Sequence, residues 1–174
     1  QIENLVNEFS DFARMPKPIL VNTDLIQLIN ENIKLLKEID KTINIEFKNN
    51  KNKVLLNSDN EQLNRVFFNL IKNSIESIQQ KSEQNPNFSK KITIEIVDFN
   101  EHISIDIIDN GIGFELLKNN IKDILNPYFT TKKNGTGLGL SIVNKIVNDH
   151  NGRLQFIPIE NGAKISIIFS KDGN

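Results

Sequence analysis

The sequence contains no cysteine and only two histidines, His102 and His150, among its 174 residues. Disulfide scaffolds, cysteine zinc sites and thiol catalysis are therefore excluded. The two histidines lie too far apart in the sequence to indicate a local metal motif. No run of 18 apolar residues occurs, so we expect no membrane-spanning segment in this sequence. No charged segment precedes an apolar stretch, so we expect no signal peptide.

An excess of charge of either sign is also missing. The formal net charge is −1, with 21 Lys and Arg against 22 Asp and Glu. Without a basic field, a protein that coats nucleic acid is disfavoured, and we expect no nucleic-acid partner. The length and a hydrophobic share of 38% predict roughly one globular domain that needs no cross-links. Because the first residue is Gln1, we expect a fragment or a processed product of a longer protein.

Hydrophobic periodicity predicts an α+β fold. The predicted helices cover residues 2–13, 23–39, 59–80 and 138–150. The predicted strands cover residues 42–47, 54–56, 92–99, 102–109, 153–158 and 163–170. We expect loops at 81–91 and 110–137, the latter with a helical turn at 116–125. The sum is a two-layer α/β sandwich, in which about three helices cover a mixed, mostly antiparallel sheet. The short helix at 2–13 has a strong apolar stripe, which predicts packing against this chain or against a partner helix.

Polar side chains gather along one edge of the predicted helix at 59–80. Asn69 and Asn73 are four residues apart, so they lie on neighbouring turns, with Lys72 and Glu76 beside them. Two amides, a cation and a carboxylate can hold a hydrated cation and a phosphate chain. Mg²⁺ takes few protein oxygens together with waters and phosphates. The alternative is an ordinary solvated helix edge, because asparagine is abundant throughout this sequence.

A second polar segment, Asp-Asn-Gly-Ile-Gly-Phe at 109–114, directly follows a predicted strand. A carboxylate at the end of a strand is a good acceptor for the amino group of a purine. Gly111 and Gly113 allow positive φ and a close approach of a ligand to the backbone. The alternative is a plain turn, which Asp-Asn-Gly also favours.

Two further segments lie in and after the irregular region. Residues 127–133, Pro-Tyr-Phe-Thr-Thr-Lys-Lys, place aromatic rings in a polar loop, either as a hinge that docks upon ligand binding or as a pin for the loop. Residues 135–141, Gly-Thr-Gly-Leu-Gly-Leu-Ser, open a helix whose first N–H groups can bind phosphate. This segment comes too late for a dinucleotide-binding βαβ unit and lacks the Gly-Lys-Ser/Thr of a Walker loop. No His-Arg-Asp catalytic loop of a eukaryote-type protein kinase is present.

Taken in order, the four segments resemble the catalytic ATP-binding domain of sensor histidine kinases, the Bergerat ATP-binding fold. The resemblance covers roughly residues 20–170. Residues 69–77 resemble the N box of that family, 109–113 the G1 box, 129–132 the F box and 135–140 the G2 box. Residues 150–153, His-Asn-Gly-Arg, resemble the stretch after the G2 helix. The resemblance therefore implies that His150 is not the phosphorylated histidine.

The segment Phe-Ser-Asp-Phe-Ala-Arg-Met-Pro at 9–16 resembles the end of the second helix of a dimerisation and histidine-phosphotransfer domain, closest to the nitrogen-regulation type. This resemblance implies that residues 1–15 end that helix and that residues 16–174 form the catalytic ATP-binding domain. The phosphoacceptor histidine then lies in an earlier helix outside this sequence. The implied location is cytoplasmic, and the intact protein is expected to be a homodimer that other segments could anchor in the inner membrane.

The family resemblance implies that the domain binds Mg·ATP and donates the γ-phosphate to a histidine of the same protein or its dimer mate. A response regulator then receives the phosphate. Asp109 would bind the adenine amino group, Asn73 and Asn69 would bind and support Mg²⁺, and Lys72 would contact phosphate. The other implied nucleotide-binding residues are Gly111, Gly113, Phe129, Thr130, Lys132, Gly135, Thr136, Gly137, Leu138 and Gly139. No catalytic base is assigned to this chain, and we expect it to be inactive alone.

Within these segments, Phe129 would dock the loop that covers the nucleotide and Thr136 would touch phosphate. Thr130 and Lys132 would meet the phosphotransfer domain. Two departures from related families matter. Asn69 stands where gyrase, heat-shock chaperone and mismatch-repair proteins carry a water-activating Glu, which predicts slow ATP hydrolysis. Ser77 stands where many sensor kinases carry a Tyr near adenine, so another residue must cover the base.

Two other functions stay open at this point. One is a nucleotide-dependent interaction module that transfers no phosphate and engages a helical partner through residues 2–12. The other is a hydrolytic ATPase clamp, against which the Asn at position 69 counts.

Overall fold

The computed structural model describes residues 2–114 and 139–171. The helices are α1 (Ile2–Ala13), α2 (Leu25–Leu36), α3 (Asn60–Gln84) and α4 (Gly139–Asp149). The strands are β1 (Val21–Asp24), β2 (Asn44–Asn49), β3 (Leu55–Ser58), β4 (Lys91–Asp98), β5 (His102–Asp109), β6 (Gly152–Ile159) and β7 (Gly162–Ser170). Among these residues, no helix is long and apolar enough to cross a membrane.

The main sheet has five strands in the order β2-β4-β5-β7-β6. Strand β2 pairs with β4 in parallel, and the other three pairs are antiparallel. Strands β1 and β3 form a separate antiparallel pair. Helices α2, α3 and α4 pack on the sheet, and α3 lies between the other two. The predicted α+β sandwich with a mixed, mostly antiparallel sheet is confirmed.

The core follows from the alternation of isoleucine along β4 and β5. Successive side chains of a strand point to opposite faces, so every second residue faces the helices. In the β4–β5 register, Ile94 pairs with Ile107 and Ile96 pairs with Ile105. All four are buried, together with the apolar stripe of α3. This packing sets the distance between α3 and the end of β5, where Asp109 lies.

Helix α3 is longer than its sequence pattern predicts. The Asp59 side chain caps its first turn by accepting a hydrogen bond from the Gln62 backbone N–H (3.0 Å). The predicted end at residue 80 is wrong, because the helix continues to Gln84. The added turn carries no apolar stripe. Instead, Lys81 anchors it by donating to the Asn110 carbonyl (2.8 Å).

Other predicted boundaries also differ, including that of β2, which was predicted over residues 42–47 and spans Asn44–Asn49. Strand β1 was not predicted, because four residues are too few to establish a period. Asp24 is the N-cap of α2, and that helix spans Leu25–Leu36 rather than the predicted residues 23–39. Strand β3 begins one residue later than predicted and extends to Ser58. Strands β4 and β5 form an antiparallel hairpin, with Asn100 at φ 72° in its turn. The predicted helical turn at 116–125 lies outside the described residues.

Helix α1 forms as predicted over Ile2–Ala13. Two members of its apolar stripe, Ile2 and Val6, are 79% and 54% exposed. These two side chains therefore do not pack on the body of this chain, which was one of the two expectations for the helix.

Candidate functional site

The candidate site forms where the end of β5 meets the middle of α3. Asp109 is the last residue of β5 and is only 5% exposed. One carboxylate oxygen, Oδ1, accepts hydrogen bonds from the Gly111 backbone N–H (2.9 Å) and from the Ser77 hydroxyl (3.4 Å). The carboxylate is thus held in one orientation by the loop that follows it and by the helix above it.

Burial raises the pKa of Asp109 to about 6. The Gly111 N–H, the hydroxyls of Ser74 and Ser77 and the charge of Lys81 all act in the opposite direction, but they do not cancel the cost of desolvation. A carboxylate offers about four lone-pair sites, and these donors use three of them. Asp109 can therefore accept a further hydrogen bond, as the amino group of adenine would require.

The loop at 109–113 leaves no room for a side chain on its α3 side. A Cβ at Gly111 would lie 2.2 Å from the Ser77 Oγ and 2.6 Å from the Ser77 carbonyl carbon. The Ser77 Oγ also accepts a hydrogen bond from the Ile112 N–H (3.1 Å). The close approach that the structure shows at Gly111 is to α3. Its approach to a nucleotide stays a prediction.

The other end of the loop needs glycine for a different reason. Gly113 has φ 69°, in the left-handed region that L side chains rarely adopt. The next residue, Phe114, packs its ring edge-on against Phe156 of β6, with centroids 5.7 Å apart. The loop thus leaves β5, touches α3 and returns to the sheet at β6.

A lysine and an asparagine that sequence reasoning missed hold the same loop. Lys81 donates to the Asn110 carbonyl (2.8 Å), and its ammonium lies 4.8 Å from the centre of the Phe88 ring. The Asn110 side chain bonds the Ser89 carbonyl and accepts from the Lys91 N–H (2.9 Å). These contacts tie the loop to the segment between α3 and β4.

One line along α3 connects these contacts to the predicted asparagine pair. Asn69, Asn73, Ser77 and Lys81 follow each other at intervals of four residues, which places neighbouring members on successive turns along an edge that winds slowly around α3. The last two touch the loop at 109–113, so the asparagines continue the same edge away from it. This spacing is the signal that could have identified Ser77 and Lys81 from sequence.

The asparagine end of this edge can hold a magnesium ion with its phosphates. Asn69 and Asn73 are both half-buried, and the Lys72 ammonium lies 3.9 Å from Glu76 Oε1. Amide oxygens are hard ligands, as Mg²⁺ prefers. Over residues 2–114 and 139–171, no group of three His, Cys, Asp or Glu residues could hold a metal. Mg²⁺ commonly binds one or two protein oxygens and keeps several waters together with substrate phosphates.

The glycine-rich segment is described only at its last glycine, Gly139, which begins α4. A Cβ at Gly139 would meet no atom within 4 Å. The free N–H groups of a first helical turn are suited to phosphate. Seven predicted residues lie outside the described residues, namely Phe129, Thr130, Lys132, Gly135, Thr136, Gly137 and Leu138.

His150, at the end of α4, has a structural role. Its Nδ1 lies 2.7 Å from the Ile146 carbonyl, so Nδ1 carries the proton. Its Nε2 accepts from the Asp59 backbone N–H (3.0 Å), which ties the end of α4 to the start of α3. The ring is buried, and both nitrogens are engaged. This agrees with the expectation that His150 is not a phosphorylated histidine.

Comparison with known proteins places this arrangement in a family. The sequence profile described as "Histidine kinase-, DNA gyrase B-, and HSP90-like ATPase" matches residues 58–173. An NtrY-like sensor histidine kinase of Rickettsia bellii is 35% identical over 94% of this chain and 26% of its own length. The nitrogen regulation protein NtrY of Azorhizobium caulinodans is 31% identical over 99% of this chain and 22% of its own. The chain thus spans about a quarter of the length of these curated relatives.

Solved structures agree with the sequence comparisons. The catalytic domain of histidine kinase ThkA, in a nucleotide-free form, has a TM-score of 0.74 at 29% identity, covering 87% of this chain and 95% of that one. ThkA in complex with the response regulator protein TrrA also has a TM-score of 0.74, at 25% identity over 98% of this chain and 47% of that one.

The family profile begins at the last residue of β3 and ends beyond β7, so it contains the asparagine edge of α3, Asp109 with its loop, and α4. The solved relatives share the sheet and the helices that position these groups. The chain therefore belongs to the histidine kinase-, DNA gyrase B- and HSP90-like ATPases, as a catalytic ATPase domain of the sensor histidine kinase kind.

Proposed function

We propose that this domain binds Mg·ATP and presents the γ-phosphate to a histidine on a phosphotransfer domain of the same protein or of its dimer mate. The observation that carries the proposal is the buried carboxylate of Asp109 at one end of the helix edge that bears Asn73 and Asn69. A base-binding acceptor at the end of β5 thus lies beside the edge of α3 that carries the metal-binding amides, as a nucleotide with its phosphates requires.

Asp109 provides the selectivity for adenine. Its carboxylate accepts the hydrogen bond of the adenine amino group, whereas guanine presents a carbonyl oxygen at that position. Because the carboxylate is buried, a base that leaves it unpaired or repels it loses much of its binding free energy. Ser77 and the Gly111 N–H keep the acceptor in place.

The phosphates lie towards the asparagine end of α3. Asn73 supplies an amide oxygen to Mg²⁺, Asn69 supports the ion and the phosphates, and Lys72, held by Glu76, faces a phosphate oxygen. The ion, when bound, supplies charge neutralisation to the β- and γ-phosphates. Further phosphate contacts come from Thr136, Leu138 and the glycines 135, 137 and 139.

Phosphoryl transfer needs little covalent chemistry from the protein, so the domain promotes it mainly by positioning the γ-phosphate for the acceptor histidine. Asn69 cannot act as a general base, so water is a poor acceptor and hydrolysis is slow. Phe129 docks the covering loop, and Thr130 and Lys132 face the phosphotransfer domain. The chain alone lacks the acceptor histidine and is therefore inactive without its partner domain.

The wider arrangement follows from the same proposal. Residues 1–15 are the end of a dimerisation and phosphotransfer helix, in line with the exposed Ile2 and Val6 of α1, and residues 16–174 form the catalytic domain. A response regulator is the downstream acceptor, as the ThkA–TrrA complex suggests by likeness. The domain works in the cytoplasm, where ATP is available.

The test is to mix this chain with a separately produced histidine-phosphotransfer domain and Mg·ATP and to measure phosphohistidine. We expect the label to appear, and Asn73→Ala to lower the rate by about 100-fold, the typical loss when one preorganised electrostatic contact is removed. Asn57→Ala on β3 is the matched control and should act as wild type.

Each contrary outcome points to a different function. Nucleotide binding without phosphohistidine would favour the interaction module. Turnover of ATP by the chain alone above roughly 1 per second, an ordinary enzymatic rate, would favour the hydrolytic clamp. Wild-type rates in Asn73→Ala would remove that residue from the metal site.

A further inference from the structure

The turn between β6 and β7 lies very close to the loop at 109–113. Gly162 opens β7 and is buried, and its neighbour Ala163 pairs with Asp109 in the β5–β7 ladder. A Cβ on Gly162 would lie 2.0 Å from the Asp109 carbonyl oxygen and 3.1 Å from the Asn110 Cα. Both are backbone atoms, so they cannot rotate away as the end of a side chain can.

The same glycine also limits the far end of the loop. A Cβ on Gly113 would lie 2.3 Å from the Gly162 carbonyl oxygen. Gly162 therefore touches the loop at both of its ends, while Ser77 of α3 touches its middle at Gly111 and Ile112. The backbone that carries Asp109 is clamped between a helix and a turn that lies about 50 residues further along the chain.

We propose that the β6–β7 turn is part of the base-binding site and that Gly162 is a positioning residue that sets where the Asp109 carboxylate lies. The inference rests on the proposed function, because it assigns the selectivity of the same nucleotide site. Any side chain at position 162 pushes the Asp109 backbone away from β7. A displacement of about 1 Å at a binding group can cost on the order of 100-fold.

The first test compares Gly162→Ala with Gly152→Ala in this chain. Gly152, in β6, is the matched control, because its Cβ would also be crowded, but by the side chains of Phe169 and Val147 (2.8 Å each) at the other end of the β6–β7 pair. Calorimetry measures ADP and GDP binding to both variants and to the wild type.

We expect Gly162→Ala to weaken ADP binding by about tenfold or more and to leave the weaker binding of GDP unchanged, because only the adenine contact is displaced. Gly152→Ala should keep both affinities even if its melting temperature falls. Unchanged ADP affinity in a folded Gly162→Ala, or equal losses for ADP and GDP, would overturn the inference.

If Gly162→Ala does not fold, a milder variant of the same turn, Asn161→Gly, tests the same inference. Asn161, at φ 58°, shapes the same turn, and Asn161→Gly loosens the turn without adding atoms. We expect a loss of ADP affinity of about twofold to fivefold with GDP unchanged. A folded Asn161→Gly that binds ADP as the wild type does would count against a role for the turn.

Hydrogen exchange separates this inference from the proposed function. Without nucleotide, the Ile112 N–H, bonded to the Ser77 Oγ, should exchange faster in Gly162→Ala, or in Asn161→Gly, than in the wild type and Gly152→Ala. If the wild type binds no nucleotide, the proposed function fails, and this exchange decides whether the turn positions the loop. Unchanged exchange at Ile112 would overturn the positioning role.

Discussion

The β4–β5 hairpin carries one buried aspartate at each end of the sheet, and the two have opposite electrostatic environments. Asp98, 8% exposed, lies 2.7 Å from the Lys171 ammonium and 3.0 Å from that of Lys51. Asp109, 5% exposed, is held mainly by a backbone N–H and hydroxyls. Burial would raise the pKa of Asp98, but Lys171, the Asn100 N–H and Lys51 bring it down to about 2, whereas the pKa of Asp109 rises to about 6.

We propose that this difference separates a structural carboxylate, Asp98, from a functional one, Asp109. At Asp98 the charge is balanced within the chain, and the carboxylate joins the hairpin to both Lys51 and Lys171. Among the described residues, Lys81 balances the buried charge of Asp109 only in part, and this costs stability in the empty protein. Groups with such perturbed pKa values cluster at binding and catalytic sites, where a ligand completes the environment.

The pH dependence of stability should differ in sign between the two ends. The folded-state pKa of Asp109, about 6, lies above its ordinary value of 3.8, so its contribution to stability is full below about pH 4 and is lost as the pH rises through 6. About two pKa units at about 1.4 kcal/mol each give up to ~3 kcal/mol. The free energy of unfolding of wild type minus that of Asp109→Asn should therefore fall by this amount between about pH 4 and pH 7.

The opposite sign holds for Asp98, whose folded-state pKa of about 2 lies below 3.8. Its contribution is present above about pH 4 and is lost as the pH falls through 2. Chemical denaturation at several pH values measures both effects. A wild-type minus Asp109→Asn difference that stays flat or rises over that range would contradict the raised pKa.

Removing the charge of Asp98 should lower the stability of the fold without changing nucleotide affinity. Asp98→Asn removes the partner of Lys171 and Lys51, whose side chains are partly exposed. We therefore expect a loss of about 2 kcal/mol at neutral pH, less than for a fully buried pair. Glu38→Gln, which breaks an exposed pair with Lys41, should change stability by less than about 0.5 kcal/mol. A loss of ADP affinity in folded Asp98→Asn would mean that the two ends are not independent.

The smallest effect is expected from Lys81, a cation near Asp109. Lys81→Met removes the charge that lowers the pKa of Asp109 and the bond to the Asn110 carbonyl. More of Asp109 is then protonated, so ADP affinity should fall by about twofold to fivefold near pH 6.5 and by less near pH 8.

Lys145→Met, which breaks an exposed pair with Asp149 on α4, is the control at the same pH values. The nucleotide phosphates titrate equally in the measurements on both variants, so comparison with Lys145→Met removes their contribution to the pH dependence. An equal loss of ADP affinity at both pH values in Lys81→Met would show that the lysine acts only through its hydrogen bond.

The sequence alone predicts only part of the structure around Asp98 and Asp109. Strict alternation of isoleucine identifies β4 and β5, and a carboxylate with two glycines directly after β5 marks Asp109 as a candidate. The end of α3 is missed because residues 79–84 are polar and lack a stripe. Gly162 is missed because it meets the loop through contacts between residues about 50 positions apart, for which a periodic pattern gives no signal.

The most direct test of the account is a calorimetric titration of ADP into the wild type, Asp109→Asn and Asp98→Asn. An amide at position 109 can turn its donor towards the adenine amino group, so we expect Asp109→Asn to lose about 100-fold or more in affinity while staying folded. Asp98→Asn, also short of one buried negative charge, should bind as the wild type does. Wild-type affinity in Asp109→Asn would contradict the assignment of adenine to this end of the sheet.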